Sequence, residues 1–333
     1  MTSAILFGSF ALFVVLSVPI GIALGLATLI TLLISGVIPI DFLVMGLITA
    51  ADSFPLLAVP FFILAGEIMG KGGISERLYK VAEAMVGNRT GGFAIATIIT
   101  CMFFAAISGS GPATVAAIGS IMIPTMVRKG YDKKFASAVV ATAGSIGVII
   151  PPSIPMVIYG VVGSVSIGDM FLAGIIPGII VGIALMIYAY IYSRKHGYTG
   201  SDEKTSIKKI AKASWDAKWS LLIPVIILGG IYGGIFTPTE AAVIAVVYGL
   251  FVGFVLYKQL TIKELPSLFI NASLTTATIL IIVGTATAFG RLLTMEQIPT
   301  QIAQWMLAIS DNQFVIMLLI TILLLIVGCF MDK

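Results

Sequence analysis

Residues 107–114 read Ile107-Ser-Gly-Ser-Gly-Pro-Ala-Thr114, a small polar run between two apolar arms, 92–106 and 115–127. Each arm, at 1.5 Å per residue, reaches only ~22 Å, short of a hydrocarbon core of ~30 Å. As one span the pair would be too long and broken in the middle. As a hairpin, two short helices enter and leave on one side with the Ser/Gly tip near mid-membrane. The flanks favour the hairpin: Arg89 precedes the first arm, and Arg128, Lys129, Lys133 and Lys134 follow the second. Basic residues at both ends mark both as cytoplasmic. Non-helical backbone at membrane depth is tolerated only inside protein or against a wet cavity. Ser108, Gly109, Ser110 and Gly111 would offer hydroxyls, bare carbonyls and close backbone approach. Such oxygens suit a hard cation such as Na⁺, and a helix N-terminus there suits an anion. A plain helix crossing packed through small residues is the competing reading.

Composition sets the class. Of 333 residues, 59% are hydrophobic and 10% charged, with mean hydropathy +1.13. That is a polytopic membrane protein. The N-terminal apolar stretch lacks the basic start and small-residue exit of a cleavable signal. The net charge of +4 is held in short connections and is no nucleic-acid footprint. Cys101 and Cys329 lie in apolar segments and read as small core residues. The lone histidine, His196, sits in a polar stretch, and no metal or thiol motif is present.

Apolar segments run over 4–18, 20–35, 42–69, the hairpin, 135–163, 168–193, 219–236, 239–257, 266–290 and 312–330. Residues 74–86 form a basic amphipathic pattern, read as an interfacial helix. Residues 194–218 read as the longest polar loop. Connections 71–89, 128–134, 194–218 and 258–263 hold 17 of the 19 Lys and Arg. The other connections carry Asp41, Asp169, Glu240, Glu296 and Asp311, with Arg291 as the basic exception. The first set is placed in the cytoplasm, the second outside. Segments 4–18 and 20–35 meet at Val18-Pro19 without a polar loop. They are either one long tilted helix or two crossings.

The halves repeat in order, which favours two crossings. Val18-Pro19-Ile20-Gly21 matches Thr237-Pro238-Thr239-Glu240. Span 42–69 matches 266–290, and 74–86 matches 295–307. Arm 92–106 matches 312–327, and tip 108–114 matches Gly328-Cys-Phe-Met-Asp332. Three crossings from the cytoplasmic loop put the second hairpin's entry outside. Opposed hairpins in inverted halves form a transporter architecture with its site near the midplane. The sequence stops just past the start of the second tip, so a truncated chain is expected.

Span 135–163 carries Gly144-Ser145 and then Pro151-Pro152-Ser153. The prolines remove donors and leave earlier carbonyls without partners. Those carbonyls, with the Ser145 and Ser153 hydroxyls, are expected to face the hairpin tip; a simple proline kink is the alternative. Asp52 is an intramembrane acid, read either as functional or as a cap or subunit contact. Glu67 and Glu240 read as interfacial or capping. Asp332 is the best acidic candidate at the second tip. Arg291 would meet a carboxylate or simply snorkel. Trp215, Trp219 and Trp305 fall where aromatic belts are expected.

Several motifs converge. Asp52-Ser-Phe, 60–66 (Pro-Phe-Phe-Ile-Leu-Ala-Gly), 108–114, Pro151-Pro-Ser-Ile-Pro155, 236–242 (Phe-Thr-Pro-Thr-Glu-Ala-Ala) and 328–332 all fit one family. The chain resembles the large membrane subunit, DctM- or SiaM-like, of tripartite ATP-independent periplasmic (TRAP) transporters. The resemblance covers essentially the whole chain. It implies an all-α inverted-repeat elevator fold with re-entrant hairpins and broken helices, in the bacterial inner membrane. It implies Na⁺-driven uptake of an organic acid, such as sialic acid or a C4-dicarboxylate. No cofactor is implied beyond Na⁺ as coupling ion. A small DctQ-like membrane subunit and a periplasmic DctP-like binding protein are the implied partners, besides the bilayer.

Carried over by residue, Ser108, Gly109, Ser110, Gly111, Gly144, Ser145, Pro151 and Ser153 are expected around the first Na⁺ region, with Asp332 near a second. Thr114, Pro152 and Arg291 are the expected substrate contacts. The implied division is 1–91 (scaffold and interfacial helix), 92–165 (first hairpin and broken helix, transport domain), 166–218 (span and basic loop), 219–311 (second scaffold) and 312–333 (incomplete second hairpin). An ion channel, or a secondary transporter working without a binding protein, is the alternative. The sequence has no H-E-x-x-H and no G-x-S-x-G, and its only histidine lies in a loop, so no enzyme is expected.

Overall fold

The computed structural model describes residues 2–36, 39–201, 205–310 and 312–330; these are helix and connecting turn, without a strand. A helix pairs every backbone group within its own segment, as the hydrocarbon core of a bilayer demands. Among the described residues, four helical stretches are long and apolar enough to cross a bilayer: Phe54–Lys71, Ile167–His196, Pro238–Leu256 and Ile262–Met295.

In chain order, α1 (Thr2–Val15) and α2 (Ile20–Ser35) are separate helices packed on each other. Ser17, with φ of +60°, and Pro19 turn the chain between them. The expected span 42–69 is not one helix. It divides into α3 (Asp41–Ala51), a 3₁₀ turn (Phe54–Leu57) and α4 (Ala58–Lys71). Ser53 is extended and Pro55 lacks an N–H, so the helical ladder cannot run through. Asp52 therefore ends α3, its N–H donating to the Ile48 carbonyl (3.1 Å).

The amphipathic stretch is α5 (Ile74–Val86), but its apolar face lies on protein: Ile74, Leu78, Val81 and Ala82 are buried, largely against the next helix. The hairpin is α6 (Gly92–Ser108) and α7 (Gly111–Arg128). The expected span 135–163 is broken into α8 (Lys133–Gly144) and α9 (Ile154–Val162), with a 3₁₀ turn (Ser145–Val148) between them. Then come α10 (Ile167–His196), α11 (Ile207–Asp216), α12 (Lys218–Tyr232), α13 (Pro238–Phe251), α14 (Leu265–Met295), α15 (Ile298–Ile309) and α16 (Gln313–Phe330).

The polar stretch 194–218 is thus only in part a loop. Ser206 opens α11, which meets α12 at a 68° bend. Glu240 caps α13: its carboxylate accepts from the Thr237 N–H (2.8 Å), and the Thr237 hydroxyl accepts from the Glu240 N–H (3.3 Å). That reciprocal arrangement satisfies two otherwise orphaned donors.

Contacts divide the chain into two compact units, Met1–Asp52 with Leu280–Lys333, and Ser53–Ile279. In the first, Leu6, Leu24, Ala27, Leu32, Phe289 and Leu292 form the core. Gly21 and Gly25 of α2 let the backbone approach Ile282 and Thr285, where a Cβ would stand 2.9 and 3.1 Å from side-chain carbons. Small-residue packing of this kind replaces the hydrophobic effect between helices in lipid. In the second unit α6 is the central element. Only Ile99, Met102 and Phe103 of it escape full burial, and α4, α5, α7, α8 and α10 surround it.

Candidate functional site

The hairpin turns on two residues. Gly109 closes α6 with φ of +62°, a left-handed conformation natural to glycine. Ser110 is extended and opens α7; its hydroxyl accepts from the Ala113 N–H (3.4 Å). The expected four-residue tip is therefore shorter, because Ser108 still belongs to α6 and Gly111 already to α7.

The helix break repeats this grammar. Ser153 is extended, opens α9, and accepts from the Met156 N–H (3.4 Å). Each serine is followed by one residue and a proline: Ser110-Gly-Pro112 and Ser153-Ile-Pro155. Proline at that place costs nothing, because the first N–H groups of a helix have no intrahelical partner.

The two turns meet within one unit. The Ile154 N–H donates to the Gly109 carbonyl at 3.0 Å. A Cβ on Gly109 would stand 2.7 Å from the Pro152 carbonyl oxygen, and one on Gly111 3.3 Å from that of Gly144. Gly147 lies on the other side, 2.9 Å by the same measure from the Ser110 carbonyl oxygen. The N-termini of α7 and α9 are thereby brought beside each other, and both carry partial positive charge.

Hydroxyls and carbonyls fill the junction. Ser108 and Thr114 are fully buried, and their hydroxyl oxygens are 3.0 Å apart. The Thr114 hydroxyl donates to the Ser110 carbonyl (2.8 Å), which also accepts from the Ser108 hydroxyl (3.4 Å). Buried Ser153 donates to the Val148 carbonyl (2.7 Å). The expected bare carbonyls are thus largely partnered: Gly109, Ser110, Ile146 and Val148 all accept hydrogen bonds. A buried backbone cannot leave them unpaired without cost. The result is a compact neutral oxygen set. Oxygen donors of this type suit a hard cation that exchanges its hydration shell for carbonyls and hydroxyls, and they do not suit soft metals. Among the described residues no group of three or more His, Cys, Asp or Glu side chains is placed to hold a metal.

Ser108, Gly109, Ser110, Gly111, Thr114, Gly144, Pro152 and Ser153 are brought together, and Pro151 precedes Pro152 in the same break. Ser145 is not part of the cluster's hydrogen bonding: it is exposed, and its hydroxyl donates to the Thr142 carbonyl (2.7 Å) one turn back. Arg291 belongs to the other compact unit, where its guanidinium donates to the Thr49 hydroxyl (3.2 Å). Asp332 lies outside the described residues. Gly66 of α4 was not expected here. A Cβ on it would come within 3.2 Å of the Ser108 Cβ, so glycine lets α4 seat the end of α6. Its signal was present in the 60–66 motif, but only packing shows its partner.

The family described as "Tripartite ATP-independent periplasmic transporter, DctM component" matches residues 7–333. The chain is 52% identical over 328 residues to the isethionate TRAP transporter permease protein DctMQ of Oleidesulfovibrio alaskensis, covering 98% of this chain and 52% of that one. It therefore spans about half the length of that relative. It is 38% identical over 346 residues to the C4-dicarboxylate TRAP transporter large permease protein DctM of Rhodobacter capsulatus, covering all of this chain and 78% of the relative. To the sialic acid TRAP transporter large permease protein SiaM of Vibrio cholerae it is 39% identical over 315 residues, covering 95% and 74%.

Proposed function

The chain belongs to the DctM family of TRAP transporter large permease proteins, and we propose that it carries a small organic anion across the inner membrane, driven by a Na⁺ gradient. The observation that carries this reading is the Gly109 carbonyl to Ile154 N–H bond (3.0 Å), which joins a hairpin tip to a helix break. Around it lie the neutral oxygens of Ser108, Ser110, Thr114 and Ser153, fit for a cation. Beside them start α7 and α9, whose N-termini favour an acid group. A cation ordering the tip would create the anion's site, because binding shifts populations only through differential contacts. The substrate class is a carboxylate or sulfonate: the relatives described above are named for isethionate, C4-dicarboxylates and sialic acid.

Element order supports an inverted repeat. Pro19 stands before α2 and Pro238 begins α13; the short amphipathic α5 and α15 each precede an apolar arm, α6 or α16. A moving domain built on α6–α9 would work by elevator motion against scaffold helices. A small membrane subunit would bind the scaffold, and a periplasmic binding protein would deliver the solute.

The test is uptake into proteoliposomes holding the full-length permease, small subunit and binding protein. Uptake should require both an inward Na⁺ gradient and the binding protein, and Ser108→Ala and Ser110→Ala should raise the Na⁺ concentration needed. Uptake indifferent to Na⁺ would sink the coupling and leave the junction as packing alone.

A further inference from the structure

Away from the junction, three of the basic connections come together. Arg77 and Lys80 of α5, Trp215 at the end of α11, Lys218 and Trp219 at the start of α12, and Tyr257 beyond α13 line one cavity of about 480 Å³. The stretches 71–89, 194–218 and 258–263 are distant in sequence, yet charge places all three on the cytoplasmic side. The cations are held against rings. The Arg77 guanidinium carbon lies 3.6 Å from the Tyr257 ring centre, and the Lys218 ammonium 3.8 Å from that of Trp215 and 5.3 Å from that of Trp219. Arg77 uses one donor on the Gly73 carbonyl (2.9 Å), and a guanidinium has five. Lys80 is paired with Glu76 at 2.7 Å, and that partner holds the Glu76 carboxyl below its usual range. Asp216 also lines the cavity. Set against the two acids, the three cations leave a net positive pocket with Arg77 and Lys218 as its available charges.

The surroundings are those of a membrane edge. No residue of α11 is buried, and Ile207 and Trp215 are 86% and 69% exposed. The 68° bend at Ala217 turns the chain from this amphipathic helix into apolar α12. A helix with uncovered apolar and basic faces, ending in tryptophan beside a span, lies in an interface.

We propose that this pocket binds the phosphate of an anionic glycerophospholipid headgroup from the cytoplasmic leaflet, with Arg77 and Lys218 as the anion's partners and Trp215 and Trp219 as walls for the glycerol and upper acyl region. A phosphodiester is the shared chemistry of lipid and soluble sources. The exposed apolar rim favours the lipid. The site needs no chemistry at the hairpin junction and stands apart from the coupling reading.

Tryptophan fluorescence of the full-length permease in bilayers tests it. Brominated phosphatidylglycerol should quench the Trp215 and Trp219 signal more effectively than brominated phosphatidylcholine at the same mole fraction. That signal is isolated by subtracting a W215F/W219F form. A charge near the surface is worth roughly fivefold in affinity for anionic lipid. The preference should therefore fall by roughly that factor in Arg77→Gln and again in the Arg77→Gln/Lys218→Gln pair, and persist in Lys218→Arg. Thermal unfolding of each variant in detergent identifies any that fail to fold, and Lys218→Arg against Lys218→Gln then carries the comparison. Equal quenching by both lipids, or a preference indifferent to both substitutions, overturns the proposal. Loss of the preference with millimolar inorganic phosphate added overturns the lipid assignment in favour of a soluble anion.

Discussion

Ser110 and Ser153 begin α7 and α9 in the same way, yet they are reached by different backbones and buried to different depths. The chain arrives at Ser110 through Gly109, which must be left-handed. It arrives at Ser153 through Pro151 and Pro152, where rings and not φ freedom shape the approach. Ser153 is fully buried and donates to Val148 as well as capping α9. Ser110 is half-buried, and its carbonyl, more than its hydroxyl, is what neighbours use. Ser153 thus closes its own turn, whereas Ser110 offers its carbonyl to the Ser108 and Thr114 hydroxyls. A paired motif does not imply paired roles.

The comparison breaks most readily at Gly109. Gly109→Ala adds a Cβ that would stand 2.7 Å from the Pro152 carbonyl oxygen, in a conformation that alone costs non-glycine residues ~1–3 kcal/mol. The expected outcome is abolished uptake with a clear fall in unfolding temperature, read by thermal unfolding of the purified permease. Wild-type stability in that variant would show that the two turns do not meet as described.

Next comes the pair Ser153→Ala and Ser110→Ala. Each loses a cap worth ~1 kcal/mol. Ser153→Ala also removes the hydroxyl donor to the buried Val148 carbonyl, adding ~1 kcal/mol or more if no water replaces it. The melting temperature should fall further for Ser153→Ala, while Ser110→Ala should change the Na⁺ dependence of uptake more than it changes stability. The reverse ranking would exchange the assigned roles.

The smallest effect is expected at Ser145. Its hydroxyl bonds only within its own helix turn and faces outward, so Ser145→Ala should stay within ~0.5 kcal/mol of wild type and leave Na⁺ dependence unchanged. A raised Na⁺ requirement would restore it to the site.

Much of this is legible in the sequence. The hairpin arms, the break after Gly144 and the amphipathic 74–86 helix follow from apolar run length, proline chemistry and helical periodicity. The break at 52–57 was also written, in Pro55, but the apolar residues around it concealed it within one hydropathic run. Helix α11 was hidden for the opposite reason: its lysines outweigh Ile207, Ile210 and Trp215 in any average, although their spacing suits a helix face.

The sequence alone determined that the chain is helical, spans a membrane several times, breaks at a Ser/Gly hairpin tip and at Pro151-Pro152, and belongs to one family. These are local properties: hydropathy, φ restriction and donor loss act within a few residues of their source. Which oxygens the junction holds was decided only by the tertiary structure. Ser145 and Ser153 are the same residue type eight positions apart, and the packing around the break leaves Ser145 exposed on its 3₁₀ turn and buries the extended Ser153. The same holds for Arg77, Lys218 and Tyr257, which share a cavity only because α12 packs against both α5 and α13, beyond which Tyr257 lies. No one-dimensional pattern carries that distance.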